Sequence, residues 1–214
     1  ESDQILHHYV RHKVSAQGLA YMQDKLQYIG KAAAGAMNEL SLDADKQGPV
    51  LVKRNAFGET VNDIKFHPSY WELMKIAVKS GMFRVKWEPS LQAQFKHEGH
   101  RLGFASGYLY AMSESGQYCP LCMTDGVARL IDLFCDEADK ARLLPHIYTD
   151  NATEFYTGAM YLTEKTGGSD VGASITTAKH KEGKTFVLNG EKWFCSNANA
   201  EIIFALARTD NEVK

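Results

Sequence analysis

Cysteine is scarce in this chain. Four thiols, Cys119, Cys122, Cys135 and Cys195, stand among 214 residues, too few for the dense disulfide framework of a small secreted domain. Long apolar runs are missing as well. The longest, Ile202 to Ala207, has the length of a strand and falls far short of the roughly 18 residues that cross a bilayer. No charge of one sign dominates: 24 Lys and Arg against 26 Asp and Glu leave a formal net charge of −2, which gives nucleic acid no electrostatic footprint. Repeats and low-complexity segments are lacking, so collagen-like, coiled-coil and disordered classes are excluded. With 44% hydrophobic residues, the chain can bury a real core as one large domain or two modest ones. It opens at Glu1 without an initiator methionine or an apolar targeting segment. A trimmed or omitted start and a soluble, reducing, cytoplasmic setting are therefore expected.

Helical periodicity fills the first two thirds. Pro68 suits a first helical turn, and Trp71, Met74 and Val78 then share one face of a predicted helix over Ser69 to Lys79 that Gly81 stops. Leu91 to Ser115 reads as one long helix, with Phe95, Leu102 and Leu109 in register and Ala105 and Met112 on the adjoining stripe. Val127, Leu130, Ile131 and Phe134 form an amphipathic set, and Gly116 and Pro120 are expected to break the chain between antiparallel helices. Upstream, Leu19, Met22, Leu26, Ile29, Ala33 and Ala36 recur at helical spacing between Ser15 and Leu40, and Asp43 to Asn62 reads as a connecting loop. Near Asp150 the pattern changes to short strands, predicted over Phe155 to Thr163, Ser174 to His180, Thr185 to Leu188, Lys192 to Cys195 and Ile202 to Arg208. The fold class is α+β, an N-terminal helical bundle over residues 1–154 followed by a β domain begun over 155–214. That β domain looks incomplete, because its last strand is apolar on both faces and gives way to a polar, turn-like stretch from Thr209 to Lys214.

Several chemistry-bearing groups invite simple interpretations. Cys119 and Cys122 have the spacing of half a zinc site, but no second close pair completes it; buried small hydrophobes are expected instead, and no metal. His97 and His100 share a helix without a third ligand. Lys75, Lys79, Arg84 and Lys86 read as a solvated basic face.

Two runs carry more. Met160 to Val171 is a strand feeding a loop with adjacent glycines, Gly167 and Gly168, then Ser169 and Asp170; such a backbone can approach a ligand and offer it N–H donors. Asn189 to Asn197 pairs a hairpin-type Asn-Gly turn with Trp193, Phe194, Ser196 and Asn197 on a returning strand, where aromatic residues are ordinarily core. Glu164 is read as facing solvent or a lysine rather than as a base.

Together, Thr163, Glu164, Gly168, Ser169, Asp170 and Val171, then Gly190, Lys192, Phe194, Cys195, Ser196 and Asn197, resemble the two flavin-contacting motifs of the acyl-CoA dehydrogenase family. Phe66-His67-Pro68, Ala56-Phe57-Gly58 and Cys119-Pro120 are similar to the subfamily of bacterial alkylation-response flavoproteins, in which Phe and Ser replace the commoner Trp and Thr at Phe194 and Ser196. The resemblance implies FAD, contacted by Met160, Leu162, Thr163, Gly168, Ser169, Phe194, Cys195 and Ser196, with Ser169 also meeting the pantetheine arm of an acyl-CoA. It implies an antiparallel β-barrel middle domain, here incomplete, α,β-oxidation of that thioester, a homotetrameric dimer of dimers, an electron-transfer flavoprotein as acceptor and a place in fatty acid metabolism. The catalytic base would lie in a C-terminal helical domain, carried by the remainder of the protein or by a companion chain, so no catalytic residue is assigned within these 214 residues. The subfamily's alternative is a flavoprotein with nucleic-acid association and weak dehydrogenation, which the net charge of −2 makes unfavourable through this part.

Overall fold

A computed structural model describes residues 3–209. The chain opens with α1 (Gln4–Lys13) and α2 (Ala16–Ala33). Ser15 starts α2 by accepting the Gly18 N–H on its hydroxyl at 3.1 Å, which satisfies one of the four orphan amides of a helix start. The backbone turns at Gly35 into α3 (Ala36–Lys46). The connecting loop expected over 43–62 is instead the end of α3 and a hairpin, β1 (Val50–Arg54) antiparallel to β2 (Thr60–Lys65). Nearly every residue of this hairpin is exposed, so no alternation of apolar and polar residues marks it in the sequence.

Pro68 does open α4 (Pro68–Lys79), and Gly81 follows its end at φ +71°. The buried face is centred on Leu73, Met74, Ala77 and Val78. Trp71 therefore stands at the margin of the stripe, exposed, packing edge-on against Phe66 and Tyr70. The predicted helix from Leu91 to Ser115 is two helices, α6 (Pro89–Phe95) and α7 (His97–Ala111), preceded by a single turn, α5 (Arg84–Trp87). Lys96 breaks it at φ +49°, a backbone region that a side chain disfavours. Phe95, Leu102 and Ala105 still reach the core, whereas Met112, just past α7, is exposed. Two glycines of α7 let α5 and the turn before it come close: a Cβ on Gly99 would sit 2.5 Å from the Val85 carbonyl oxygen, and one on Gly103 2.6 Å from that of Met82.

Gly116 and Pro120 break nothing; both lie inside α8 (Ser115–Phe134). Pro120 deprives only the Gly116 carbonyl, near the helix start, of its partner, and buried Leu121, Val127, Ala128 and Ile131 hold the helix in place. Phe134, at its far end, is exposed. Asp136 caps α9 (Glu137–Tyr148). Leu73, Trp87, Tyr110, Leu121, Ile131 and Ile147 are the bulky centre of the main core.

The β part comprises β3 (Gly158–Tyr161), β4 (Thr177–Glu182), β5 (Thr185–Asn189), β6 (Ile202–Ala205) and β7 (Arg208–Thr209). β4 and β5 pair antiparallel, but β3 with β6 and β4 with β7 are parallel. The β4–β5 hairpin turns at Gly183, φ +52°, rather than at Asn189-Gly190. Lys192 to Cys195 is not a strand, because Phe194 adopts φ +56°, incompatible with extended backbone. β3 lies directly on α8: a Cβ on Gly158 would fall 2.6 Å from the Val127 side chain. The molecule is thus α+β, a helical region followed by small open sheets. The polar stretch from Asp210 to Lys214 lies outside the described residues.

Candidate functional site

β3 delivers its next residues, Leu162 and Thr163, to a site open to solvent. Among the described residues, neither backbone N–H donates to a protein acceptor. Unpaired donors of this kind call for a ligand or water. The loop that follows folds back over Thr163, since a Cβ on Gly168 would lie 2.9 Å from the Thr163 hydroxyl. Gly167, at φ +128°, makes that reversal, its N–H donating to the Glu164 carbonyl at 2.9 Å. Ser169 is exposed beside it.

The second run approaches from the other side. The Trp193 N–H donates to the Thr163 carbonyl at 2.9 Å, and the Lys192 ammonium to the Leu162 carbonyl at 3.2 Å. Trp193 and Phe194 are not core: Phe194 is 83% exposed. Cys195 is half-buried, its thiol bonded to the Lys192 carbonyl, and Ser196 is exposed. Asn197 donates through Nδ2 to Thr157 Oγ1 and the Gly158 carbonyl, anchoring the run to β3. Positive φ at Phe194 and Asn197 and buried, unpartnered amide oxygens on Asn197 and Asn199 concentrate strain in this short segment, as functional loops do. Leu162, Thr163, Gly168, Phe194, Cys195 and Ser196 therefore belong to two adjoining segments. Met160 joins them by its backbone alone, because its side chain packs toward Gly126 of α8.

Glu164 faces a lysine and is removed from solvent, at 4% exposure. The Ile175 N–H (2.7 Å), the Lys192 ammonium (2.7 Å), the Ser174 hydroxyl, and the Thr176 hydroxyl and N–H (2.6 and 3.0 Å) all donate to its carboxylate. The Ile175 amide, followed by Lys192, Ser174 and Thr176, holds its pKa far below the usual carboxylate range, which makes it a fixed anion and no proton acceptor.

A cavity of about 630 Å³ adjoins the end of this run. His67, Tyr70, Glu114, Gln117, Asn197 and Asn199 are among its lining residues. Glu114 and Gln117 were not singled out from sequence; Glu114 caps α8 by accepting the Gln117 N–H at 2.7 Å, a cap hidden between two serines that suit the role equally well.

Other sequence candidates are corrected. Lys86 is not on a solvated face: it is 4% exposed, ion-paired with Asp125 at 2.7 Å and set against the rings of Phe83 and Phe104. Burial depresses its pKa, Asp125 opposing the shift. Cys119 and Cys122 are exposed on α8 rather than buried. His100 stacks edge-on against Trp87. Among the described residues no three His, Cys, Asp or Glu side chains converge as metal ligands, and no helix is long and apolar enough to cross a membrane.

Comparison with known proteins agrees with this architecture. Residues 1–151 match the family model for the adaptive response protein AidB N-terminal domain, and residues 159–214 that for the acyl-CoA dehydrogenase middle domain. AidB of Escherichia coli (strain K12) is 28% identical over 211 residues, covering 92% of this chain and 37% of that protein. Acyl-CoA dehydrogenase family member 11 of Caenorhabditis elegans is 25% identical over 212 residues, covering 97% of this chain and 34% of that one. The chain thus spans little more than a third of the length of these relatives. Among solved structures, the apo form of Bd2924 superposes with a TM-score of 0.90 at 31% identity, over 98% of this chain and 42% of that one. The fold is also that of C. elegans ACDH-11, solved in complex with C11-CoA, with a TM-score of 0.86 at 24% identity over 97% of this chain and 35% of that one. The chain belongs to the acyl-CoA dehydrogenase family, in the branch of the adaptive response protein AidB.

Proposed function

We propose that this chain supplies the helical (1–154) and initial middle-domain (155–214) parts of an FAD-dependent acyl-CoA dehydrogenase. The observation that carries the proposal is the pair of unpaired N–H donors at Leu162 and Thr163 beside the exposed Phe194 and Ser196. These residues fit an isoalloxazine: donors suit its electron-rich pyrimidine edge, an exposed aromatic suits its face, and a hydroxyl suits its redox-active nitrogen. Leu162, Thr163, Gly168, Ser169, Phe194, Cys195 and Ser196 would hold it, with Met160 supporting them from β3. Bound FAD would supply the acceptor for a hydride leaving the β-carbon of the thioester.

This chain's own residues orient and shield. Gly168 lets the loop close on Thr163, and Ser169 would meet the pantetheine arm. The cavity beside Asn197 is large enough for a medium acyl group and opens next to the same segment. Acyl-CoA as the substrate is supported by the C11-CoA complex of the C. elegans relative. The base that removes the α-proton would come from sequence beyond this chain, within a dimer of dimers that passes electrons to an electron-transfer flavoprotein.

The test is anaerobic titration of the complete protein, including the sequence that would carry the base, reconstituted with FAD, against C11-CoA. Stoichiometric FAD retention with bleaching of the flavin absorbance is expected. Failure to retain FAD would overturn the proposal, and retention without bleaching would restrict it to flavin binding.

A further inference from the structure

We infer that the Glu164–Lys192 ion pair is the positioning element of the flavin face, fixing the distance between its two halves. The inference rests on the flavin proposal above. Both partners stand between proposed contacts and the rest of the β part: Glu164 follows Thr163 directly, and Lys192 precedes Phe194 by two residues. Their side chains are 3% and 8% exposed at an N···O distance of 2.7 Å.

Lys192 ties its own segment to two others, donating to the Glu164 carboxylate and the Leu162 carbonyl (3.2 Å) of one and to the Ser174 hydroxyl (3.1 Å) of the other. Glu164 in turn gathers the residue 174–176 segment through Ser174, Ile175 and Thr176. No regular strand pairing joins residues 162–163 to 192–196; besides the lysine, only the Trp193 N–H to Thr163 carbonyl bond links them among the described residues. An ordinary stabilising role accounts poorly for such a pair, because a buried salt bridge roughly breaks even against an apolar substitute. What it does supply is geometry: desolvated side-chain contacts beside a single backbone hydrogen bond. The Leu162 carbonyl is held by Lys192, so the peptide plane carrying the Thr163 N–H cannot rotate away from the ligand side.

The experiment compares the complete wild-type protein with its Lys192→Met, Lys192→Arg and Ser174→Ala variants. FAD affinity, the visible flavin spectrum and the flavin midpoint potential are read, with thermal melting of the FAD-free proteins as the folding control. Lys192→Met is expected to weaken FAD binding by roughly tenfold or more, the scale seen when an orienting partner is removed behind metal ligands, and to shift both spectrum and potential. Lys192→Arg should restore most of the affinity. A folded Lys192→Met with wild-type affinity, spectrum and potential would overturn the inference and leave the flavin proposal standing. Wild-type protein that retains no FAD would overturn both. Should Lys192→Met not fold, Ser174→Ala decides: a weaker, spectrally shifted flavin complex supports the positioning role, and an unchanged one rejects it.

Discussion

Glu164 and Lys86 are both charged and both buried, a burial that sequence alone does not reveal for one physical reason: the partner is distant along the chain. Lys192 meets Glu164 from a segment 28 residues away, and Asp125 meets Lys86 from another helix. The motif around Thr163 to Val171 was legible because its residues are contiguous; the charge compensation was not. Consequences follow for pH and for mutation. Glu164 titrates well below its ordinary value of 4.5, so its contribution to stability is complete above that pH and is lost as pH falls below it. Thermal melting from pH 7 to pH 3 should therefore fall more steeply for the wild type than for Glu164→Gln, whose side chain does not titrate. Asp125→Ala leaves the Lys86 ammonium buried without its counter-ion and is expected to destabilise by about 3–5 kcal/mol in urea unfolding. Lys86→Met with Asp125→Ala should recover much of that loss, since the rings of Phe83 and Phe104 already surround the site.

Among the elements, those with one strongly buried face were readable and those without were not. α4 and the second half of α8 follow their apolar stripes, with Leu73, Met74 and Ala77 or Val127 and Ile131 packed inside. The β1–β2 hairpin has no such face and reads as loop. The seven-residue spacing of Phe95 and Leu102 concealed the break at Lys96, because both sides of the junction pack on the same helices. Lys96 at φ +49° and ψ −122° is a position for glycine. Lys96→Gly is expected to raise stability by about 1 kcal/mol through relief of backbone strain, read as a higher melting temperature. An unchanged or lowered melting temperature would show that the strain is already relaxed in solution.

At the scale of the whole molecule, surface area is the informative quantity. The chain exposes 13382 Å² for 23.9 kDa, whereas a compact monomer of that mass exposes about 9,900 Å². Part of the excess is apolar: Phe186, Val187 and Leu188 are consecutive and exposed on β5, with Phe194, Ile203 and Leu206 exposed elsewhere in the β part. Unpaired strand edges with apolar side chains seek partners. Expressed alone, these 214 residues are expected to enhance the fluorescence of a hydrophobic dye and to self-associate with rising concentration in sedimentation velocity. A dye-silent monomer at every concentration would contradict the exposed β faces. The sequence pointed to an unfinished β domain, but not to its parallel pairings, which depend on contacts between strands far apart along the chain.

Those parallel pairings also set a timetable. The β4–β5 hairpin closes across a two-residue turn, from Glu182 to Thr185, whereas β3 must wait for β6, joining Gly158 to Ile202. Closing the longer loop costs more chain entropy, and Leu162 to Ser169 and Phe194 to Ser196 all lie within it. During synthesis, β3 therefore stays without its parallel partner until Ile202 to Ala205 has cleared the ribosomal exit tunnel, so this sheet matures after the helices that support it.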